Sequence, residues 1–162
     1  MRLLIIYGSK TGTTEECASK IKATLETRQD APMIDMHNLA KRPKINLDDY
    51  DTIVIGSPIY MGQIRNSVKT FLGYNIEKLM QKNVHFFVCG LARGDEGVEL
   101  FKKQVPTTLF RHAKQVKQLG GDVHVDRLGF LYKFIMKKIL AESKPELGLL
   151  DDAIVDFANQ ID

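Results

Sequence analysis

Cysteine is scarce in this chain: Cys17 and Cys89 are the only two, and they lie far apart. Neither has a neighbour that makes a metal knuckle or a CxxC redox pair, so both are expected as small buried hydrophobes. Long apolar runs are missing as well. Nothing approaches the roughly 18 residues of a membrane-spanning helix, and the opening MRLLIIYGSK turns polar too soon for a secretory signal, which makes the cytoplasm the expected compartment. Dense Lys/Arg runs with interleaved aromatics are also missing, and nucleic acid is set aside as a partner. The charge excess is only +3, with much of the positive charge between Lys102 and Lys144. His37, His85, His112 and His124 have no partners at metal-ligand spacing, and no metal site is expected.

Short β-branched apolar runs alternate with segments of helical period, the pattern of βαβ units around a parallel sheet. The expected strands are Arg2–Tyr7, Met33–Asp35, Thr52–Ile55, His85–Cys89 and Asp122–Val125. The expected helices are Thr13–Arg28, Ser67–Met80, Val98–Lys117, Leu128–Leu140 and Leu149–Gln160. These describe an α/β, doubly wound, five-stranded parallel sheet, and 162 residues suit a single domain over 1–162. In such sheets ligands sit beyond the carboxyl ends of the strands, which directs attention to the loops after the first, third and fourth.

The first of these, SKTGTTE, places Ser9, Thr11, Thr13 and Thr14 around Gly12 at the start of a helix. Unpaired backbone N–H groups and the positive end of the helix dipole hold an anion there, and the hydroxyls add donors. The alternative is a plain helix cap by Thr13 or Thr14. GxxxxGK[ST] and GxGxxG are both missing, so neither a nucleotide triphosphate loop nor a dinucleotide fold is indicated. A signalling receiver domain, which needs carboxylates after the first and third strands, finds only Gly8, Ser9 and Gly56, Ser57, Pro58 there.

YGSKTGTTEECA resembles the phosphate loop of flavodoxins, of the form [ST]-x-T-G-x-T, which wraps the monophosphate of FMN. IVIGSPIYMGQIRNSVKTFL resembles the flavodoxin segment that runs from the third strand to a loop against the flavin ring. The resemblance implies a flavodoxin-like sheet of order 2-1-3-4-5 and FMN as cofactor. It assigns the phosphate to Ser9, Lys10, Thr11, Gly12, Thr13 and Thr14. The inner side and edge of the ring fall to Ser57, Pro58, Ile59, Tyr60, Met61, Gly62 and Gln63, and the far side to Gly90, Leu91, Ala92, Arg93 and Gly94. VHFFVCGLARGDEG lacks the aromatic that flavodoxins often carry after the fourth strand, so that face has no assigned stacking partner. Lys10, Arg65 and Arg93 stand where electron-carrier flavodoxins often have acidic residues, which favours a less negative flavin potential.

GGDVHVDRLGFLYKFIMKKIL resembles a subgroup that includes the menaquinone-dependent protoporphyrinogen oxidases, which pass electrons from a porphyrinogen through FMN to a quinone. On a helical wheel Leu128, Leu131, Tyr132, Ile135, Met136 and Ile139 form the expected core stripe. Phe130 and Phe134 fall opposite, beside Lys133 and Lys137, a pattern that suits peripheral contact with the inner face of the cell membrane or with a hydrophobic anionic substrate, the alternative being a helix buried on two sides with lysine stems over aromatic edges. The sequence reading is an FMN-binding flavodoxin-domain protein that carries out electron transfer or oxidoreduction, with a small-molecule or protein redox partner and no identified catalytic side chain. Porphyrinogen oxidation with a quinone acceptor and a non-catalytic electron shuttle are its alternatives.

Overall fold

A computed structural model describes residues 1–162. Its main sheet has β1 (Arg2–Tyr7), β2 (Met33–Asn38), β3 (Thr52–Tyr60), the two-residue β4 (Gln63–Ile64), β5 (Asn83–Cys89) and β6 (Gln115–Gln118). The parallel strands run in the order β2-β1-β3-β5-β6, and β4 pairs antiparallel with the end of β3. Counting parallel strands alone, this is the expected 2-1-3-4-5.

The central strands are buried on both faces, which is why they read as unbroken apolar runs. Alternate side chains go to opposite layers. Leu3, Ile5 and Tyr7 face α1 (Thr13–Glu26) and α6 (Asp151–Asn159), in a cluster with Cys17, Ile21, Leu25, Phe87 and Phe157. Leu4 and Ile6 join Val68 and Leu72 of α2 (Asn66–Leu79), Phe101 of α3 (Asp95–Lys102) and Leu109 of α4 (Thr107–His112). The remaining elements are the strand pair β7 (Gly120–Gly121) and β8 (Gly148–Leu149), with α5 (Phe130–Ser143) between them. No helix is long and apolar enough to cross a membrane.

Three expectations fail in the last third. The single helix over Val98–Lys117 is instead α3 and α4, because Pro106 offers no N–H and forces its predecessor out of helical geometry; α4 begins just after it. The fifth parallel strand is Gln115–Gln118, paired with His85–Val88, and not Asp122–Val125. Residues 122–129 form a connection containing a short 3₁₀ turn, Val125–Arg127, so His124 is not in a strand either. The expected core stripe of α5 also fails. Leu128 and Met136 are buried, but Leu131 is 66% and Tyr132 44% exposed, because α5 rests on the rim of the sheet and not on its face.

His85 lies wholly buried in β5, its Nδ1 accepting from Gln115 Nε2 at 3.1 Å, while its Nε2 has no partner. Burial pushes its pKa down from 6.5 to about 4, opposed in part by Asp162. The folded protein therefore holds His85 neutral where the unfolded chain protonates it. Its contribution is intact above pH 6.5 and is lost as pH falls toward 4, by up to about 3 kcal/mol at roughly 1.4 kcal/mol per pKa unit. Urea unfolding between pH 8 and pH 4 is expected to show this extra loss in the wild type and not in His85→Phe.

Candidate functional site

The loop after β1 turns on Gly12, whose φ of 102° lies in the left-handed region open to glycine. Its N–H donates to Ser9 Oγ at 3.1 Å, which closes the loop. No side chain caps α1. Thr13 Oγ1 donates instead to the carbonyl of Asp122 at 3.4 Å. The plain helix-cap alternative thus has no support, and the first N–H groups of α1 remain turned to a site lined by Ser9, Lys10, Thr11, Thr13 and Thr14.

The loop after β3 is a hairpin. Met61 and Gly62 both have positive φ, 51° and 75°, as the tightest two-residue β-turn requires, and Ile59 and Tyr60 pair with Ile64 and Gln63. Gln104 clamps it from outside. The Gln104 Nε2 donates to the Gly62 carbonyl at 3.0 Å, and its Oε1 accepts from Ile64 N–H at 3.1 Å. Ser57 holds the base of the hairpin by accepting from Arg65 N–H at 3.3 Å.

The loop after β5 is tied to the last third of the chain. Gly90 N–H donates to the Gly120 carbonyl, and Gln118 Nε2 donates to the Gly90 carbonyl, both at 3.0 Å. The backbones pass so closely that a Cβ on Gly121 would lie 2.5 Å from Gly90 N.

These loops surround a cavity of about 240 Å³. Of the residues assigned from sequence, Ser9, Lys10, Thr11, Thr13, Thr14, Pro58, Ile59, Tyr60, Met61, Gly62, Gly90, Leu91 and Ala92 line it. Gly12, Ser57, Gln63, Arg93 and Gly94 do not. Gly12 and Ser57 shape their loops from behind, and Gln63 points outward to Lys69. Arg93 turns away to donate to the carbonyls of Glu146 and Gly148 at 3.0 Å each, beside the Glu146 carboxylate at 3.8 Å. Gly94 sits at the start of α3.

Sequence reasoning missed Cys89, Leu100, Asp122, Val123, Leu128, Met136 and Ile139 as lining residues, and placed Arg65 near the site only by charge. Leu128, Met136 and Ile139 share one face of the segment running into α5; that spacing was visible, but it reads equally as a core stripe. They add apolar surface to the cavity, and α5 also reaches the other loops. The Tyr132 ring meets Tyr60 edge-on at 5.9 Å between centroids, and Lys10 Nζ lies 5.2 Å from the Tyr132 ring centre.

Two polar atoms near the cavity are buried without a partner, Tyr60 Oη and Arg65 Nε. Desolvation, aided by Tyr132, raises the Tyr60 pKa and keeps that phenol neutral. An apolar chamber with an uncapped helix start at one end and unsatisfied donors along its wall is suited to a flat molecule carrying an anionic tail.

The flavodoxin domain, as a family model, matches residues 4–146. No curated protein matches the chain. Among solved structures, flavodoxin 1 of Bacillus cereus is 15% identical over 100% of both chains, with a TM-score of 0.57. The flavodoxin of Streptococcus pneumoniae TIGR4 is 15% identical over 99% of this chain and 97% of that one, with a TM-score of 0.56. Two-electron reduced Megasphaera elsdenii flavodoxin is 22% identical over 74% and 82%, with a TM-score of 0.54. At these identities the shared property is the fold.

The close approach behind the cavity generates a prediction. Gly121→Ala places a methyl group against the Gly90 backbone and is expected to lower stability by about 2 kcal/mol, as overpacking of rigid backbone does, measured by urea denaturation. Gly73→Ala, where an added Cβ meets nothing within 4 Å, is the matched control.

Proposed function

The chain belongs to the flavodoxin domain family, and from that premise we propose that its cavity binds FMN non-covalently and that the protein works in electron transfer or oxidoreduction. The observation that carries the reading is the uncapped start of α1, with buried Thr13 and Thr14, opening into the same cavity as Tyr60 and the unsatisfied Arg65 Nε. The donor set fits both ends of the cofactor: hydroxyls and N–H groups for a phosphate, apolar surface and a phenol for a flat ring. Ser9, Lys10, Thr11, Thr13 and Thr14 would hold the phosphate, and Ile59, Tyr60, Met61, Gly90 and Leu91 the ring. Bound flavin would supply one- or two-electron chemistry that no side chain here provides.

What the chain itself contributes is position, dryness and charge. The Gln104 clamp holds the β3–β4 hairpin at fixed height, and Leu128, Met136 and Ile139 exclude water from one side. Lys10 and Arg65 line the cavity, and Asp122 is its only carboxylate. One cation about 8 Å from the ring contributes roughly 2 kcal/mol at an effective dielectric near 20, or about 90 mV for one electron. Arg93, bound elsewhere, drops out of this sum, which leaves Lys10 and Arg65 to favour a less negative potential.

A second reading is favoured by α5. Phe130 is 91% and Phe134 67% exposed, with Leu131 between them and Lys133 and Lys137 alongside. Exposed rings among lysines match a surface of apolar tails and anionic headgroups. This supports peripheral membrane contact and, with the apolar cavity beneath, a quinone acceptor and a porphyrinogen donor, as in the menaquinone-dependent oxidases that the sequence resembles. A freely diffusing, non-catalytic shuttle would need neither feature.

The purified protein is expected to be yellow or to take up added FMN, with Thr14→Val weakening binding about tenfold, the scale of one lost charge-assisted hydrogen bond; a colourless protein that takes up none overturns the reading. Arg65→Gln is expected to move the flavin midpoint potential downward in a redox titration. Phe130→Ala with Phe134→Ala is expected to lower pelleting with anionic liposomes, and equal pelleting removes the membrane reading alone.

A further inference from the structure

We infer that Arg127 is a specificity-determining residue, whose charge makes this site select a phosphorylated flavin over its unphosphorylated parent. The inference rests on the flavin reading above and concerns only how the phosphate end is recognised. Arg127 lies far from the phosphate loop in sequence, in the 3₁₀ turn that leads into α5. In the fold it lies against that loop. Its Nη1 donates to the Thr11 carbonyl at 2.6 Å, and the same nitrogen lies 2.8 Å from where a Cβ on Gly12 would be. Gly12 is required by its left-handed φ, while the guanidinium beside it is the end of a flexible side chain that could shift aside.

The company this cation keeps argues that its charge has a use. Arg2, Arg28 and Arg93 each lie within 4 Å of a carboxylate, at Asp35, Asp30 and Glu146. Arg127, like Arg42, Arg65 and Arg111, forms no such pair, but it alone of these four is fixed on the phosphate loop, by a hydrogen bond to a neutral carbonyl that any donor satisfies. The loop's own cation, Lys10, is turned over the Tyr132 ring. The guanidinium is therefore a positive charge without a carboxylate partner, fixed against the loop outside the cavity lining, beside Thr11 and Gly12 at the helix start where a dianionic phosphate would be drawn.

Two more contacts hold the same segment on the loop: Thr13 Oγ1 to the Asp122 carbonyl, and Lys10 to Tyr132. Loss of Arg127 should then leave the turn in place. A structural tether and an electrostatic selector make different predictions. A tether matters equally for any ligand that fills the cavity, whereas a selector matters only for the one that bears the phosphate.

The test is fluorescence titration of the full chain, stripped of bound flavin, with FMN and with riboflavin, for wild type, Arg127→Lys, Arg127→Gln and Arg127→Met. Glutamine keeps a neutral donor for the Thr11 carbonyl, and methionine keeps only the stem. The Kd for FMN is expected to rise about tenfold in the glutamine and methionine variants, with riboflavin within about twofold of wild type and lysine restoring most of the difference. Glutamine that preserves the wild-type ratio of the two affinities overturns the inference, and so does a variant that weakens both flavins equally. A wild type that binds neither flavin overturns the flavin reading together with this one.

Discussion

The structure depends on the burial of its central strands on both faces. Leu3 to Ile6, Ile53 to Ile55 and Phe86 to Val88 are wholly enclosed between two helical layers, so polar groups emerge only where the strands end. The amino edge closes on itself. Arg2 N–H donates to Asp51 Oδ2 at 2.9 Å, and Thr52 Oγ1 donates to the Asp162 carbonyl at 3.1 Å. At the carboxyl edge, the start of α1 is uncapped and Tyr60 and Arg65 hold unsatisfied atoms. A buried polar group without a partner costs about 1–3 kcal/mol, and such atoms also occur at His85 Nε2 and Gln115 Oε1 near the amino ends of β5 and β6, so what sets the carboxyl edge apart is the uncapped helix start together with the cavity beside it.

The last third of the chain completes the site from outside the sheet. Gly120 and Gly121 let the chain pass against Gly90, and β7 pairs with β8 across the base of the excursion that carries α5. From there the segment reaches all three loops: Asp122 and Arg127 meet the first, Tyr132 the second, and the strand pair the third. The helix achieves this while leaving Phe130, Leu131 and Phe134 in solvent. Its packing energy comes from a few residues on one side, Leu128 and Met136 above all, so the outward face is free of any folding requirement.

The first half of the fold was legible because its signals are local. A run of four buried aliphatics followed by Gly-x-x-x-Gly and hydroxyls leaves little choice but a strand, a tight turn and a helix, and β1 and the start of α1 fall where expected. The fifth strand was not legible. Val116 alternates with polar neighbours much as Val123 does, and what selects Gln115–Gln118 is pairing with β5, a contact across 30 residues for Gln115 and His85. Arg93 shows the same limit at the level of the site. Its place in the loop was read correctly, but its direction is set by carbonyls at Glu146 and Gly148 that no local pattern announces.

Those two errors have a common consequence for charge. Moving the strand to 115–118 turns residues 122–129 into a free connection, and that connection carries Arg127 onto the loop at Thr11 while Arg93 is withdrawn to the far side. The site thus keeps a positive balance that is divided in two: Arg127 lies at the phosphate loop and Lys10, though it lines the cavity, is shared with Tyr132, while Arg65 lines the cavity with its Nε unpaired. Coulomb energy falls with distance and with exposure to water, so the cations divide the work. A charge at the loop acts on how firmly an anionic tail is held, and a charge buried beside the ring acts on how readily an electron is taken up. On the flavin reading, binding and potential would then rest on different residues.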